Sequence, residues 1–297
     1  FYKIGNMLQR IKSFERDFTI TKAAFIVGFF AFLSKLVALV RDPLFASKFG
    51  GEKIYILDVY AAAFRIPDFL FVSVASLVSL SVLIPFIIER NADRPALRAF
   101  IDTVFSFFNI LIVAAAILTY FLIPTFSAIL FKGMSVGELA DIISLSRLLL
   151  LSPVILGLSN LFGSLTQAYN RFTIYAFAPI LYNAGIVLGI LMFSSSLGIR
   201  GVAFGVIIGA LLHLLVQVPF VWKAGLLPRI TFSPDWQLMK KVAKISLPRT
   251  VTLSMSSVVL VFLVALASRV AYGSVTILSF SWNLQTISLS IIGVSYS

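Results

Sequence analysis

Cysteine is absent from this chain of 297 residues, and histidine occurs once. The first absence excludes disulfides, thiolate metal sites and cysteine nucleophiles. The second, with only 12 aspartates and glutamates, leaves little for metal chemistry and dismantles the usual nucleophile–base pairs. G-x-x-x-x-G-K-[ST], H-E-x-x-H and G-x-S-x-G do not occur, so the sequence indicates no ATP hydrolysis, zinc-protease or serine-hydrolase chemistry. No cofactor and no metal are expected. Charge is scarce as well, at 12% of residues against about 25% in soluble domains. Alternating polar and apolar strands are absent, which argues against an outer-membrane barrel.

Apolar residues dominate instead. They make up 60% of the chain, with a mean hydropathy of +1.03, too much to be covered by the few polar residues in water. At roughly 20 residues per span, this content supplies about eight spans, and the fold class expected is an all-α polytopic membrane protein. Charged or turn-rich breaks delimit apolar segments at about 21–45, 55–88, 97–131, 138–168, 172–196, 200–223, 240–270 and 274–297. Pro43, Pro67, Pro153, Pro179 and Pro248 lie in or at the ends of these segments and favour kinks or breaks. The chain starts at Phe1 and stops at Ser297 inside an apolar run, and so reads as part of a longer protein.

The organisation expected is an interfacial segment at 1–20, a six-helix lobe at 21–224, a polar cytoplasmic linker at 225–238, and two helices of a second lobe at 239–297. Leu36-Val37-Ala38-Leu39 recurs as Leu263-Val264-Ala265-Leu266, a weak echo between the first and seventh segments. Lysines and arginines set the orientation. With the N-terminus inside, one side collects Lys3, Arg10, Lys12, Arg16, Lys22, Arg90, Arg94, Arg98, Arg171, Lys223, Arg229, Lys240, Lys241 and Lys244. The other receives Lys48, Lys53, Lys132, Arg200 and Arg269. The bias favours a cytoplasmic N-terminus. Most of the net charge of +12 is then topology and attraction to anionic lipid headgroups, not a nucleic-acid footprint.

Lys35, Arg41, Asp42, Asp58, Arg65, Asp68, Arg147 and Arg249 remain in or near the apolar segments. Each costs at least about 2.5–3.5 kcal/mol at the bilayer centre, so each must pair, snorkel or face a water-filled cavity. Asp58 and Arg65 are seven apart and share a helix face, as do Lys35 and Asp42, while Arg41 points roughly 100° away from Asp42. Arg65 and Asp68 can pair at i,i+3. These groups either tie helices together or line a cavity for an anionic substrate. The cavity reading is favoured for Lys35, Arg41, Asp58 and Arg65, the structural one for Arg147 and Arg249. His213 reads as a hydrogen-bonded packing residue. Gly185 and Gly189, and Gly201, Gly205 and Gly209, have the spacing of close helix contacts. Most of the 29 phenylalanines should face lipid or fill the bundle.

Ser34-Lys35-Leu36-Val37-Ala38-Leu39-Val40-Arg41-Asp42, then Phe49-Gly50, Asp58, and Ala63-Phe64-Arg65-Ile66-Pro67-Asp68-Phe69-Leu70 with Val82-Leu83-Ile84-Pro85, resemble the first two helices of the MurJ/MviN family, the bacterial lipid II flippases. Arg171-Phe172 with Ala176-Phe177-Ala178-Pro179-Ile180-Leu181-Tyr182-Asn183 resembles its fifth helix. Gly201-Val202-Ala203-Phe204-Gly205-Val206 and Leu214-Leu215-Val216-Gln217-Val218-Pro219-Phe220 resemble its sixth, and Leu247-Pro248-Arg249 the opening of its seventh.

The resemblance implies a two-lobed bundle, usually of fourteen helices related by a pseudo-twofold axis, in the bacterial cytoplasmic membrane. It implies alternating-access transport of the undecaprenyl-diphosphate-linked peptidoglycan precursor, lipid II, through a cationic cavity. Lys35, Arg41, Arg65 and Asp58 are the substrate-binding residues implied, with Asp42 and Asp68 as an ion pair or gate. Membrane lipids and other cell-wall synthesis proteins are the further partners implied. Three departures stand out: Phe71 where the family usually has Arg, Ser76-Leu77 where it has Glu-Gly, and Asn283 where it has an arginine. They leave open a flippase or exporter of another lipid-linked oligosaccharide or small molecule in the same superfamily, or a non-transporting envelope-biogenesis scaffold.

Overall fold

The computed structural model describes the backbone of residues 2–75, 80–231 and 235–296, and the side chains of 22–75, 82–231 and 235–286. Among the described residues there is no strand. Helix α1 (Tyr2–Phe49) leads through a short 3-10 turn, Gly51–Lys53, into α2 (Ile54–Ala75), followed by α3 (Leu80–Arg90), α4 (Arg94–Leu130), α5 (Val136–Leu149) and α6 (Leu151–Ala168). Helix α7 (Phe172–Leu188) continues through a π turn into α8 (Ser194–Leu197), then α9 (Ile199–Leu215), α10 (Val218–Lys223), α11 (Trp236–Ala267) and α12 (Ser274–Tyr296). Each of the eight apolar segments is therefore mainly helical over its described residues. Six helical stretches are long and apolar enough to cross a membrane: Lys22–Phe49, Arg94–Leu130, Val136–Ala168, Phe172–Leu197, Ile199–Lys223 and Trp236–Ala267. The second segment falls outside this set because α2 carries Asp58, Arg65 and Asp68, and the eighth has side chains described only to residue 286.

Local chemistry explains the ends. Asp93 caps α4 by accepting from the Ala96 amide at 3.1 Å, with Pro95 in the first turn. Ser135 and Glu138 form a reciprocal capping box on α5. Asp235 caps α11, so the last three residues of the expected linker are already helix. The expected interfacial segment at 1–20 is continuous with the first span in α1. Of the prolines expected to kink or break helices, only Pro153 sits beside a boundary, four residues beyond Leu149. The helices run on through Pro43, Pro67, Pro179 and Pro248.

The glycine series does what its spacing implied. A Cβ on Gly185 or Gly189 would overlap the backbone of Gly209 or Gly205, so α7 and α9 touch main chain to main chain. Two buried clusters build the interior. One, around Phe100, Phe108 and Leu165, joins α2, α3, α4, α6, α10 and α11 at the end carrying the 90–94 and 169–171 turns. The other, around Phe49, Leu57, Phe131 and Val275, joins α1, α2, α5, α7, α9, α11 and α12 at the opposite end. Outside them the surface stays apolar, with Phe25 72%, Phe121 69% and Phe262 60% exposed. An apolar surface on a bundle of spanning helices is what hydrocarbon requires. This is a multi-pass membrane protein.

The first two helices and the last two pack reciprocally, α1 on α12 and α2 on α11. The connecting segment docks on α4, where Asp102 accepts from the Arg229 amide at 2.8 Å and the Ser106 hydroxyl accepts from the Thr231 amide at 2.7 Å.

Candidate functional site

Helix α2 presents one stripe to the bundle interior: Leu57, Tyr60, Ala61, Phe64, Arg65, Asp68 and Phe71. Their spacing of three and four residues is one helical face. With residues of α1, α6, α7 and α12 this stripe encloses a cavity of about 320 Å³. Its blind end is formed by Phe45, Leu57, Leu149 and Ile186, which belong to the second buried cluster. A second cavity of about 390 Å³ opens beside it between α1, α7 and α12, lined by Ser34, Lys35, Tyr175 and Asn183 among others. Arg41, Asp42 and Asn283 line both and so form the wall between them.

That wall is a hydrogen-bonded chain across three helices. Arg41 donates to Asp42 Oδ1 through Nε at 3.0 Å and Nη2 at 2.9 Å, and through Nη1 to Asn183 Oδ1 at 3.4 Å. Asn283 donates to Asp42 Oδ2 at 3.0 Å, and Asn183 to Ser34 Oγ at 3.1 Å. Adjacent residues on a helix diverge by 100°, yet the long guanidinium stem folds back over Asp42. The helical wheel therefore missed this pair. Asp42 takes its partners from Arg41 and Asn283, not from Lys35 on the same stripe.

Arg65 reaches α12, where its Nη2 donates to Ser279 Oγ at 3.2 Å. Its Nε is buried without a hydrogen-bond partner among the described residues. No carboxylate of the described residues lies within 4.0 Å of Arg65 or Lys35, in contrast to the Arg41–Asp42 pair at 2.9 Å. Asp68 lines the cavity one turn from Arg65 without forming the expected i,i+3 ion pair at that distance. Phe71 lines the cavity as well. Ser76 and Leu77 lie outside the described residues.

The expectation that Asp58 lines the cavity is not met. Asp58 is 4% exposed and does not line either cavity. Its carboxylate accepts from the Gly273 amide at 2.5 Å and from the Thr276 amide and hydroxyl at 2.8 and 2.6 Å. Asp58 thus caps the start of α12 from another helix, where unpaired amides and the helix dipole favour an anion. Gly273 holds φ +88, and a Cβ there would press on Ile54, so the turn needs glycine.

Of the residues read as structural, Arg147 and His213 engage neighbouring helices. Arg147 stacks on Tyr120 with its guanidinium 4.4 Å from the ring centroid. His213 Nδ1 lies 2.6 Å from Ser159 Oγ, which also accepts from Gln217 at 2.7 Å. Arg249 is exposed on α11. Tyr60, Ser152, Tyr182, Ser279 and Phe280 complete the cavity and were not singled out from the sequence. For Tyr60 the signal was available, since it stands at i−4 and i−5 from Phe64 and Arg65 on the interior stripe. For the others, uncharged and on distant helices, it was not.

The chain is similar to known proteins in sequence and in fold. A family model described as lipid II flippase MurJ matches residues 45–297. The probable lipid II flippase MurJ of Buchnera aphidicola subsp. Acyrthosiphon pisum is 27% identical over 277 residues, covering 91% of this chain and 54% of that protein. The lipid II flippase MurJ of Burkholderia cenocepacia is 26% identical over 287 residues, covering 92% and 55%. The chain thus spans about half the length of the curated relatives it matches. A solved lipid II flippase MurJ in an inward closed conformation superimposes with a TM-score of 0.74 at 23% identity, covering 89% of this chain and 55% of that one. An inward-facing multidrug resistance MATE transporter of the MOP superfamily follows at 0.68 and 17% identity, covering 88% and 60%. These two likenesses establish the fold. The family match over most of the sequence establishes that the chain belongs to the lipid II flippase MurJ family.

Proposed function

We propose that the complete protein is a lipid II flippase, moving the undecaprenyl-diphosphate-linked peptidoglycan precursor across the bacterial cytoplasmic membrane by alternating access. The observation that carries the reading is Arg65: a guanidinium lining an interior cavity, whose buried Nε has no hydrogen-bond partner, and which has no carboxylate within ion-pair distance, among the described residues. A cation held so in a membrane-spanning bundle is costly unless an anion completes it. Arg65 is the principal diphosphate ligand. Lys35 supplies charge in the adjoining cavity, where an ammonium offers a point charge without the bidentate fork of arginine. Arg41 joins them once a phosphate competes for its contact with Asp42, and Asp68 balances the site when it is empty.

The cytoplasmic side is the one that carries the 90–94, 169–171 and 223–235 connections, by the excess of lysine and arginine there, and the N-terminus lies on that side. Residues 21–224 act as one lobe, 225–238 as linker and 239–297 as the opening of the second lobe. The reciprocal packing of α1 on α12 and α2 on α11 supports this division.

The test is growth rescue by the complete reading frame in a bacterium whose own lipid II flippase is shut off. The expected result is survival with the native sequence and loss of survival with Arg65→Ala or Arg41→Ala at equal membrane abundance. An abundant, inserted native protein that does not rescue growth overturns lipid II as the substrate.

A further inference from the structure

We propose that the central cavity holds two subsites, and that an aromatic ladder at its blind end, Phe45–Tyr60–Phe64, recognises the first sugar attached to the diphosphate. The proposal rests on the reading of Arg65 as the diphosphate ligand and deepens it. Tyr60 and Phe64 stand one turn apart on α2, with ring centroids 6.0 Å apart and planes tilted by 47°. Phe45 leans on Tyr60 from α1 at 5.1 Å and 42°. All three line the cavity that Arg65 lines, and Tyr182 and Ser152 bring hydroxyl groups to it from α7 and α6.

This mixture of aromatic faces and hydroxyls matches the chemistry of a saccharide. One face of a pyranose is a set of polarised C–H bonds, which pack against the electron-rich face of an aromatic ring. Its edge is a set of hydroxyls, which need hydrogen-bond partners once removed from water. A polyprenyl chain would call for an apolar lining without such partners.

Direction follows from the shape of the cavity. Tyr60 precedes Arg65 by five residues, about 7.5 Å along the helix axis, which is the reach of a sugar joined to a phosphate held at Arg65. Beyond Tyr60 the cavity ends on Phe45, Leu57 and Ile186. A hydrocarbon tail tens of ångströms long cannot enter that blind end, so the tail leaves the other way and the sugar takes the ladder. A volume of about 320 Å³ lies at the low end of ligand pockets.

The complete protein, purified in detergent, is titrated with undecaprenyl diphosphate and with the same lipid bearing a single hexosamine, and binding is read by native mass spectrometry. The native protein is expected to prefer the glycosylated lipid by about tenfold. Phe64→Leu is expected to reduce that preference to less than about twofold, and Phe64→Tyr to keep it. If Phe64→Leu does not remain monodisperse, Tyr60→Leu serves as the same test. Equal affinity of the native protein for the two lipids overturns the sugar subsite while leaving the diphosphate reading intact, as does a preference that survives loss of the ladder ring. Binding of neither lipid overturns the diphosphate reading, and this proposal with it.

Discussion

Ser146 donates its hydroxyl to the carbonyl of Ala63 across 2.9 Å, and Ala63 is the residue whose carbonyl Pro67, four positions on, leaves without a helical donor. Ser146 is fully buried on α5, so the repair comes from a neighbouring helix. The next residue, Arg147, does the same for α4: its Nε donates to the Tyr120 carbonyl, a long contact of 3.4 Å, and Pro124 is the proline four positions beyond Tyr120. Two adjacent residues of α5 thus answer the prolines of two other helices. In hydrocarbon a freed carbonyl finds no water, so such repair lets proline persist without breaking the helix.

Ser146→Ala is expected to destabilise the protein by about 1–3 kcal/mol, the cost of leaving a buried acceptor unsatisfied. Pro67→Ala restores the helical donor, so the penalty should largely vanish in the Pro67→Ala/Ser146→Ala double variant. Thermal unfolding in detergent reads both. Strictly additive effects would show that the two residues are not coupled in this way.

Asp58→Ala should strip the start of α12 of its cap and cost about 1–3 kcal/mol. Asp58→Asn keeps one acceptor and should cost less. Val275, fully buried beside this contact, offers a readout. A cysteine placed there should react slowly with a maleimide in the native background and much faster with Asp58→Ala. An unchanged rate would mean that Asp58 does not hold α12 against α2.

Gly205→Leu should prevent α7 and α9 from closing, since even a Cβ at Gly205 overlaps the backbone of Gly189. Overpacking of this kind costs about 1–3 kcal/mol or more, and here main chain stands opposite main chain. Loss of the monodisperse species on size-exclusion chromatography is the expected outcome. A Gly137→Ala control, where a Cβ meets nothing within 4 Å, should behave as the native protein. A well-folded Gly205→Leu protein would refute the close contact.

Because the sequence contains no cysteine, single cysteines report orientation without background. In intact cells a membrane-impermeant maleimide is expected to label Lys53→Cys and Lys132→Cys, and to reach Arg94→Cys and Lys223→Cys only after permeabilisation. The opposite pattern would invert the proposed topology.

Much of this molecule was legible in its residues. Apolar runs of helical length, charges confined to the breaks, and glycines every fourth residue imply membrane helices and their close pairing. These follow from composition and local period, because lipid accepts only backbone that is internally hydrogen-bonded. The echo of Leu36–Leu39 at Leu263–Leu266 was faint, yet it falls on α1 and α11, the openings of the two helix pairs that pack reciprocally. The set of intramembrane charges was legible too, since each is expensive in hydrocarbon.

What those charges do was decided only by tertiary structure. Asp58 and Arg65 share a face of α2, and both reach α12. One meets the amides that open that helix and becomes a cap, while the other meets a serine one turn further on and remains a cation whose Nε is unpaired among the described residues. Arg41 folds onto Asp42, and Asn283 closes on the same carboxylate from 241 residues away. A helical wheel gives the direction in which a side chain leaves its own helix. It carries no information about which distant segment will stand there, and that partner determines whether a buried charge is neutralised, used as a cap or left without a counter-charge.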